Sequence, residues 1–155
     1  MRCTEVADRP FFDGKFFGRD IGDRGRYVQR MIHDLLPDHW KLFATQHSLV
    51  GKEIEFPWPG KDELVAVIEI FDDGSVEHEA RGAYPGIVVL RDGFVPIGGC
   101  SIGTGDPYFL NVLDGPAGPI YKIDHTQVHS NGYNHDTAVT EMLGSYHDLL
   151  RYVST

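Results

Sequence analysis

The chain has 155 residues, 41% of them hydrophobic and 12% aromatic, so it can fold as one domain around a core and is too apolar to stay disordered. Its formal charge of −9 is unevenly spread: residues 1–51 hold 8 Lys/Arg against 7 Asp/Glu, and residues 52–155 hold 6 against 16. The acidic part excludes direct nucleic-acid binding, which needs clustered Lys and Arg, and suits a basic protein partner.

The opening residues MRCTEVADRP lack the apolar core of a signal peptide, and no apolar run approaches the roughly 18 residues of a membrane span. Cys3 and Cys100 are isolated thiols with no CxxC, so the expected setting is a reducing cytoplasm without a membrane partner. Phe11, Phe12, Phe16 and Phe17 around Asp13-Gly14 read as an extended arm or short hairpin. From about Asp23, the residues Tyr27, Val28, Met31, Ile32, Leu35 and Leu36 recur at helical spacing. Pro37 ends that helix and suits the start of the next, where Trp40, Phe43, Ala44 and His47 share a face to about Gln46.

After Gly51, Glu53-Ile54-Glu55-Phe56 alternates as a half-buried strand does. Pro57 to Asp62 reads as a loop holding Trp58, and the second half of Leu64 to Phe71 as a strand. Asp72 and Asp73 can cap a short helix over Ser75 to Ala83. Gly86–Leu90 and Gly93–Ile97 read as two short strands about the turn Arg91-Asp92-Gly93. Tyr108–Val112 and Pro119–Ile123 are two more, joined by Asp114 to Gly118. A short extended segment before Gly144 and a helix from Tyr146 to Val153, opened by the Ser145/Asp148 capping box, complete the chain. The expected fold is α+β: a largely antiparallel or mixed sheet of about 5–6 strands packed with N-terminal, middle and C-terminal helices.

No pattern requires catalysis. Gly103-Thr104-Gly105-Asp106 spells the GxGD of intramembrane proteases, but the chain has no span to carry that chemistry. The same stretch fails as a phosphate loop, because it lacks GxxxxGK[ST] and a strand follows it. It reads instead as a folding device in which Gly98, Gly103 and Gly105 shape the chain and Asp106 pins it. Asp124, His125, His129 and His135 are the only metal-like run; with a turn-like Ser130 to Asn134 inside it, the expectation is no metal and no cofactor. No GxSxG occurs, and nothing places a histidine beside Cys100.

Five pieces in order carry a resemblance. They are Leu36-Pro37-Asp38-His39-Trp40; Tyr84-Pro85-Gly86-Ile87; Gly93 to Gly98; Gly103 to Leu110; and Gly118-Pro119-Ile120-Tyr121-Lys122-Ile123-Asp124-His125. With Gly144-Ser145-Tyr146 before the last helix, the stretch from Leu36 to Val153 resembles the SMI1/KNR4 family of the SUKH superfamily. Residues 1–35 fall outside the pattern, and Pro107 and Asp124 depart from it locally. The resemblance implies one non-catalytic α+β domain, with Gly98, Gly103, Gly105, Asp106, Pro119 and Tyr121 as its structural motif. It further implies a bacterial immunity protein that neutralises a polymorphic or contact-dependent toxin, often a nuclease; relatives serve as regulatory scaffolds. The expected contact surface comprises Trp58, Asp72, Asp73, Asp114 and Asp136, all in expected loops or at element ends. The alternatives are a scaffold or small-ligand binder using the glycine loop with Asp106 and Tyr121, and a metal-dependent enzyme using Asp124, His125, His129 and His135.

Overall fold

The computed structural model of the chain describes residues 35–102 and 105–154. The expected N-terminal arm, the helix from about Asp23 to Asp34, and Gly103 lie outside the described residues. Leu35 and Leu36, the last of the apolar stripe, are buried. Pro37 stands immediately before helix α1 (Asp38–Gln46), where its missing N–H forfeits no helical bond. Trp40, Phe43 and Ala44 of α1 are buried, whereas His47 is exposed beyond its end.

Strand β1 (Glu53–Trp58) alternates exposed and buried residues up to its last position, and pairs antiparallel with β2 (Lys61–Ile70). The loop expected over 57–62 is therefore mostly strand, turning only at Pro59-Gly60. The pairs Pro57↔Val65 and Trp58↔Lys61 carry the ladder past the prolines, with a register shift between Pro57 and Trp58. An edge strand tolerates a proline because one side of its backbone needs no partner.

Helix α2 (Asp73–Gly82) starts where Asp72 accepts a 2.8 Å hydrogen bond from the Ser75 amide, which holds the Asp72 carboxyl below its ordinary range. The strand expected over 86–90 is instead helix α3 (Gly86–Val89), prolonged by a 3-10 turn over Leu90–Asp92. Packing overrides the β-propensity of its valines: Val88 and Val89, adjacent in sequence, are both buried, as one helix face allows and alternation in a half-exposed strand does not. Arg91-Asp92-Gly93 is accordingly no hairpin turn; Gly93, at φ 94°, ends the 3-10 turn.

Strands β3 (Phe94–Gly99), β4 (Tyr108–Asn111) and β5 (Ile120–Ile123) follow. A small hairpin, β6 (Val128–His129) with β7 (Gly132–Tyr133), leads through helix α4 (His135–Ala138) to β8 (Val139–Leu143). The final helix is a 3-10 turn over Tyr146–Arg151, capped by Ser145, which accepts from the His147 amide. Six strands form one antiparallel sheet in the order β1-β2-β3-β4-β5-β8. The fold is thus α+β with an antiparallel sheet; α2 and α3 lie between β2 and β3, whereas the β3–β4 and β4–β5 connections are too short for a crossover helix.

Strand β4 shows how the two layers cover the sheet. Tyr108 and Phe109 point to opposite faces and are both fully buried. On one face Phe109 joins Phe94, Ile123 and the α3 residues Val88 and Val89. On the other, Tyr108 meets Phe56, which in turn meets Tyr152 just after the final 3-10 turn. That turn is tied to α1 by Tyr146, whose ring packs on Trp40 and Phe43.

His39 also joins this contact, stacked on Tyr146 with Nδ1 3.0 Å from its hydroxyl. Desolvation lowers its pKa below the ordinary 6.5, and the Asp38 carboxylate pulls the other way. Because the unfolded chain binds this proton first, the fold loses stability as pH falls from 6.5 towards the lower folded-state value. His39→Gln is expected to flatten that decline. Urea midpoints of both proteins between about pH 7.5 and 5 measure it, and parallel curves would remove His39 from the cause.

Candidate functional site

Polar side chains converge where β1, β3 and β5 end and β4 begins. Hairpin β1–β2 reaches this place by projecting from the sheet, since β2 pairs with β3 only through Glu69↔Gly99 and Ile70↔Gly98. The hairpin curls over the sheet end, so that half-buried Trp58 holds both Lys61 Nζ and Lys122 Nζ 5.5 Å from its ring centre. Lys122 lies opposite Tyr108 across β4–β5, on the face away from Tyr121.

Beneath Trp58 lies a buried ion pair. Lys122 Nζ stands 2.8 Å from Asp106 Oδ2, with the two side chains 11% and 2% exposed. Asp106 Oδ1 accepts the His125 amide at 3.2 Å and faces His125 Nδ1 in a close contact. Gly105, at φ 76°, makes the turn that brings Asp106 in. Asp124 adjoins the cluster: its Oδ1 accepts from Thr126 N at 2.9 Å and Thr126 Oγ1 at 2.7 Å. Ligand atoms of Asp106, Asp124 and His125 lie within 4.8 Å of one another. His129 and His135, which the sequence groups with His125, stand apart: His129 is exposed on β6, and His135 packs near Phe94.

An open cleft of ≈ 270 Å³ borders the same end, lined by Glu69, Phe71, Glu79, Gly99, Cys100 and Pro107. Cys100 donates to the Ile102 carbonyl rather than meeting a histidine. The Tyr108 hydroxyl is buried beside the Cys100 thiol and the Val67 backbone but makes no hydrogen bond of normal geometry among the described residues. Burial pushes that phenol well above its ordinary pKa. Tyr121 and Tyr133 are likewise raised, first by desolvation and then by donating to Asp114 and Asp92.

The residues expected at a contact surface do not form one patch. Asp72, Asp73, Asp114 and Asp136 are exposed, but Asp114 follows β4 while Trp58 belongs to the end where β4 starts. Asp72 caps α2, and Asp114 accepts from the Tyr121 hydroxyl at 2.8 Å, so both carry local structural bonds. Of the motif residues, Gly98 has no room for a side chain, since a Cβ there would lie 2.5 Å from Ile68 Cγ1 and 2.7 Å from the Glu69 carbonyl oxygen. Pro119 is half-buried before β5.

Sequence reading missed Lys122. Its signal was available: a lysine within Ile120-Tyr121-Lys122-Ile123 breaks an apolar strand, and a buried ammonium needs a carboxylate. No protein-family model, curated protein or solved structure matches the chain.

Proposed function

We propose that the chain is a non-catalytic binding module of the SMI1/KNR4 kind, an immunity protein that occludes a basic, nuclease-type toxin. The observation that carries this reading is the outer face of hairpin β1–β2. Glu53 and Glu69 lie directly opposite each other there, both exposed and neither in an ion pair among the described residues. Like charges opposed across strands destabilise a hairpin, and a cationic partner would relieve them. Glu55 stands on the same face, and Asp62 and Glu63 extend the acidic surface towards the turn. Leu64 and Val65, 49% and 48% exposed, supply apolar contact area beside them, and Glu69 continues into the cleft with Glu79 and Phe71. Acidic groups around an apolar contact suit an arginine- or lysine-rich partner.

The test is co-expression with the toxin encoded by the neighbouring reading frame. Rescue of growth and a stable complex are expected, with Glu55→Lys/Glu63→Lys weakening the complex at least about tenfold and Leu64→Asp reducing rescue. All three positions are exposed, so folding should be retained. Absence of both binding and rescue with the wild-type chain would sink the proposal. The cleft favours a second reading, a binder of a small cationic ligand between Glu69 and Glu79. Toxin-independent binding of such a ligand would support it.

A further inference from the structure

We infer that the cleft where β2 and β3 end is a socket for an arginine side chain of the protein partner. This rests on the binding-module reading above for the source of that side chain, and adds the chemical class of the group that anchors it. The charge, the aromatic wall and the size of the cleft together select a guanidinium.

The sheet builds the floor. Glu69 lies opposite Gly99 across β2–β3, and Phe71, two residues on, falls on the same face. The Phe71 amide donates to the Ile97 carbonyl at 3.0 Å, which carries the ladder past the end of β2 and fixes the ring's origin. A Cβ on Gly99 would lie 3.0 and 3.1 Å from Phe71 Cε1 and Cζ, so only a bare glycine lets the ring lie this close to β3. Helix α2 contributes half-buried Glu79, next to the buried Ala80.

Neither Glu69 nor Glu79 makes an ion pair or a side-chain hydrogen bond among the described residues. Arg81 of α2 is already engaged by Glu77 at 2.6 Å. The volume of ≈ 270 Å³ falls below the roughly 300–1,000 Å³ of pockets that take whole small molecules, and suits one long side chain entering from a partner's surface. An ammonium would answer the charge alone, and it is strongly hydrated. A guanidinium is planar and weakly hydrated, stacks on a ring face and presents N–H groups to carboxylates at its edge. Phe71 with two free carboxylates answers each of those properties. Glu69 also stands opposite Glu53 on the outer face of hairpin β1–β2, so the socket is continuous with the acidic surface proposed as the contact.

NMR titration of the full chain with N-acetyl-arginine methylamide, at constant ionic strength, tests the socket. Saturable shifts at the Glu79, Gly99 and Cys100 amides are expected, with a Kd of about 10 mM or tighter and at least about threefold weaker binding of the lysine analogue. Glu79→Gln should weaken both ligands at least about threefold, whereas Phe71→Leu should erase the preference for arginine. Glu69→Gln, at an exposed position, should act as Glu79→Gln does and keeps the test open if Phe71→Leu does not fold. Glu63→Gln, outside the cleft, should change affinity less than about twofold. No saturable shift at these amides would overturn the inference, as would equal binding of the lysine analogue or indifference to both Glu69→Gln and Glu79→Gln. Agmatine binding at least about tenfold tighter than the capped arginine would assign the cleft to a free small cation and overturn it as well. The titration contains no toxin, so the two readings fail separately: lost rescue with intact arginine binding rejects the toxin alone, and intact rescue without arginine binding rejects the socket alone.

Discussion

Asp106→Ala is expected to destabilise the fold by about 3–5 kcal/mol, because it takes from the buried Lys122 ammonium the carboxylate 2.8 Å away. Lys122 would keep the Trp58 ring but lose the carboxylate 2.8 Å away, and the His125 amide would lose its acceptor. For a chain of this size the loss is roughly 10–20 °C in Tm. Equilibrium urea unfolding measures it. Lys122→Met should be destabilising for the mirror reason, since it takes the ammonium from a buried carboxylate that then keeps only its other contacts, the His125 amide among them. The double variant Asp106→Leu/Lys122→Met should recover part of the sum, because replacing both charges by apolar groups removes the desolvation cost along with the attraction. A loss below about 1 kcal/mol in Asp106→Ala would mean that water or other groups solvate Lys122 well enough to make the pair dispensable.

The second large effect concerns Gly86, at the start of α3. A Cβ there would lie 1.9 Å from the Glu79 carbonyl oxygen, 2.8 Å from its carbon and 3.0 Å from Ala80 Cα. All three atoms are backbone of α2, so no side-chain rotation relieves the overlap, and α3 must move off α2. Gly86→Ala should therefore cost about 3 kcal/mol or more, at the upper end of the overpacking range. Gly74→Ala in α2 is the matched control: its nearest neighbour would be Asp72 Oδ1 at 3.6 Å. Helix propensity then dominates, and a gain of roughly 0.5 kcal/mol is expected. Thermal melts of the two variants distinguish close helix contact from a general intolerance of alanine; equal Tm values would show that α3 shifts freely.

Where local pattern and tertiary packing agreed, the elements were legible. The alternation of Glu53 to Phe56, the cap at Asp72, Pro37 at the start of α1 and the break at Gly144 placed their elements because each signal is local. Gly86 to Leu90 misled because its valines favour a strand, while burial of both Val88 and Val89 depends on Phe109 and Ile123, which no local window contains. The hairpin turn was hidden for a similar reason, since Pro57 and Pro59 look like a loop until β2 is seen to pair with β1. At the candidate site, Asp106 and His125 were each visible as unusual residues. Their contact spans 19 positions and is set by β4–β5 pairing, which periodicity does not encode. His129 and His135 looked equivalent to His125 because closeness in sequence says little about closeness in space once a small hairpin intervenes.

Pro57, placed in the edge strand β1, has a consequence for self-association. Edge strands invite pairing with a second copy, and proteins blunt them with charge and proline. Here the strand is one donor short at Pro57 and carries exposed Glu53 and Glu55, so two copies meeting edge to edge would bring like charges together over an incomplete ladder. The residues that, on the proposed reading, would meet a cationic partner therefore disfavour edge-to-edge pairing of two copies along β1.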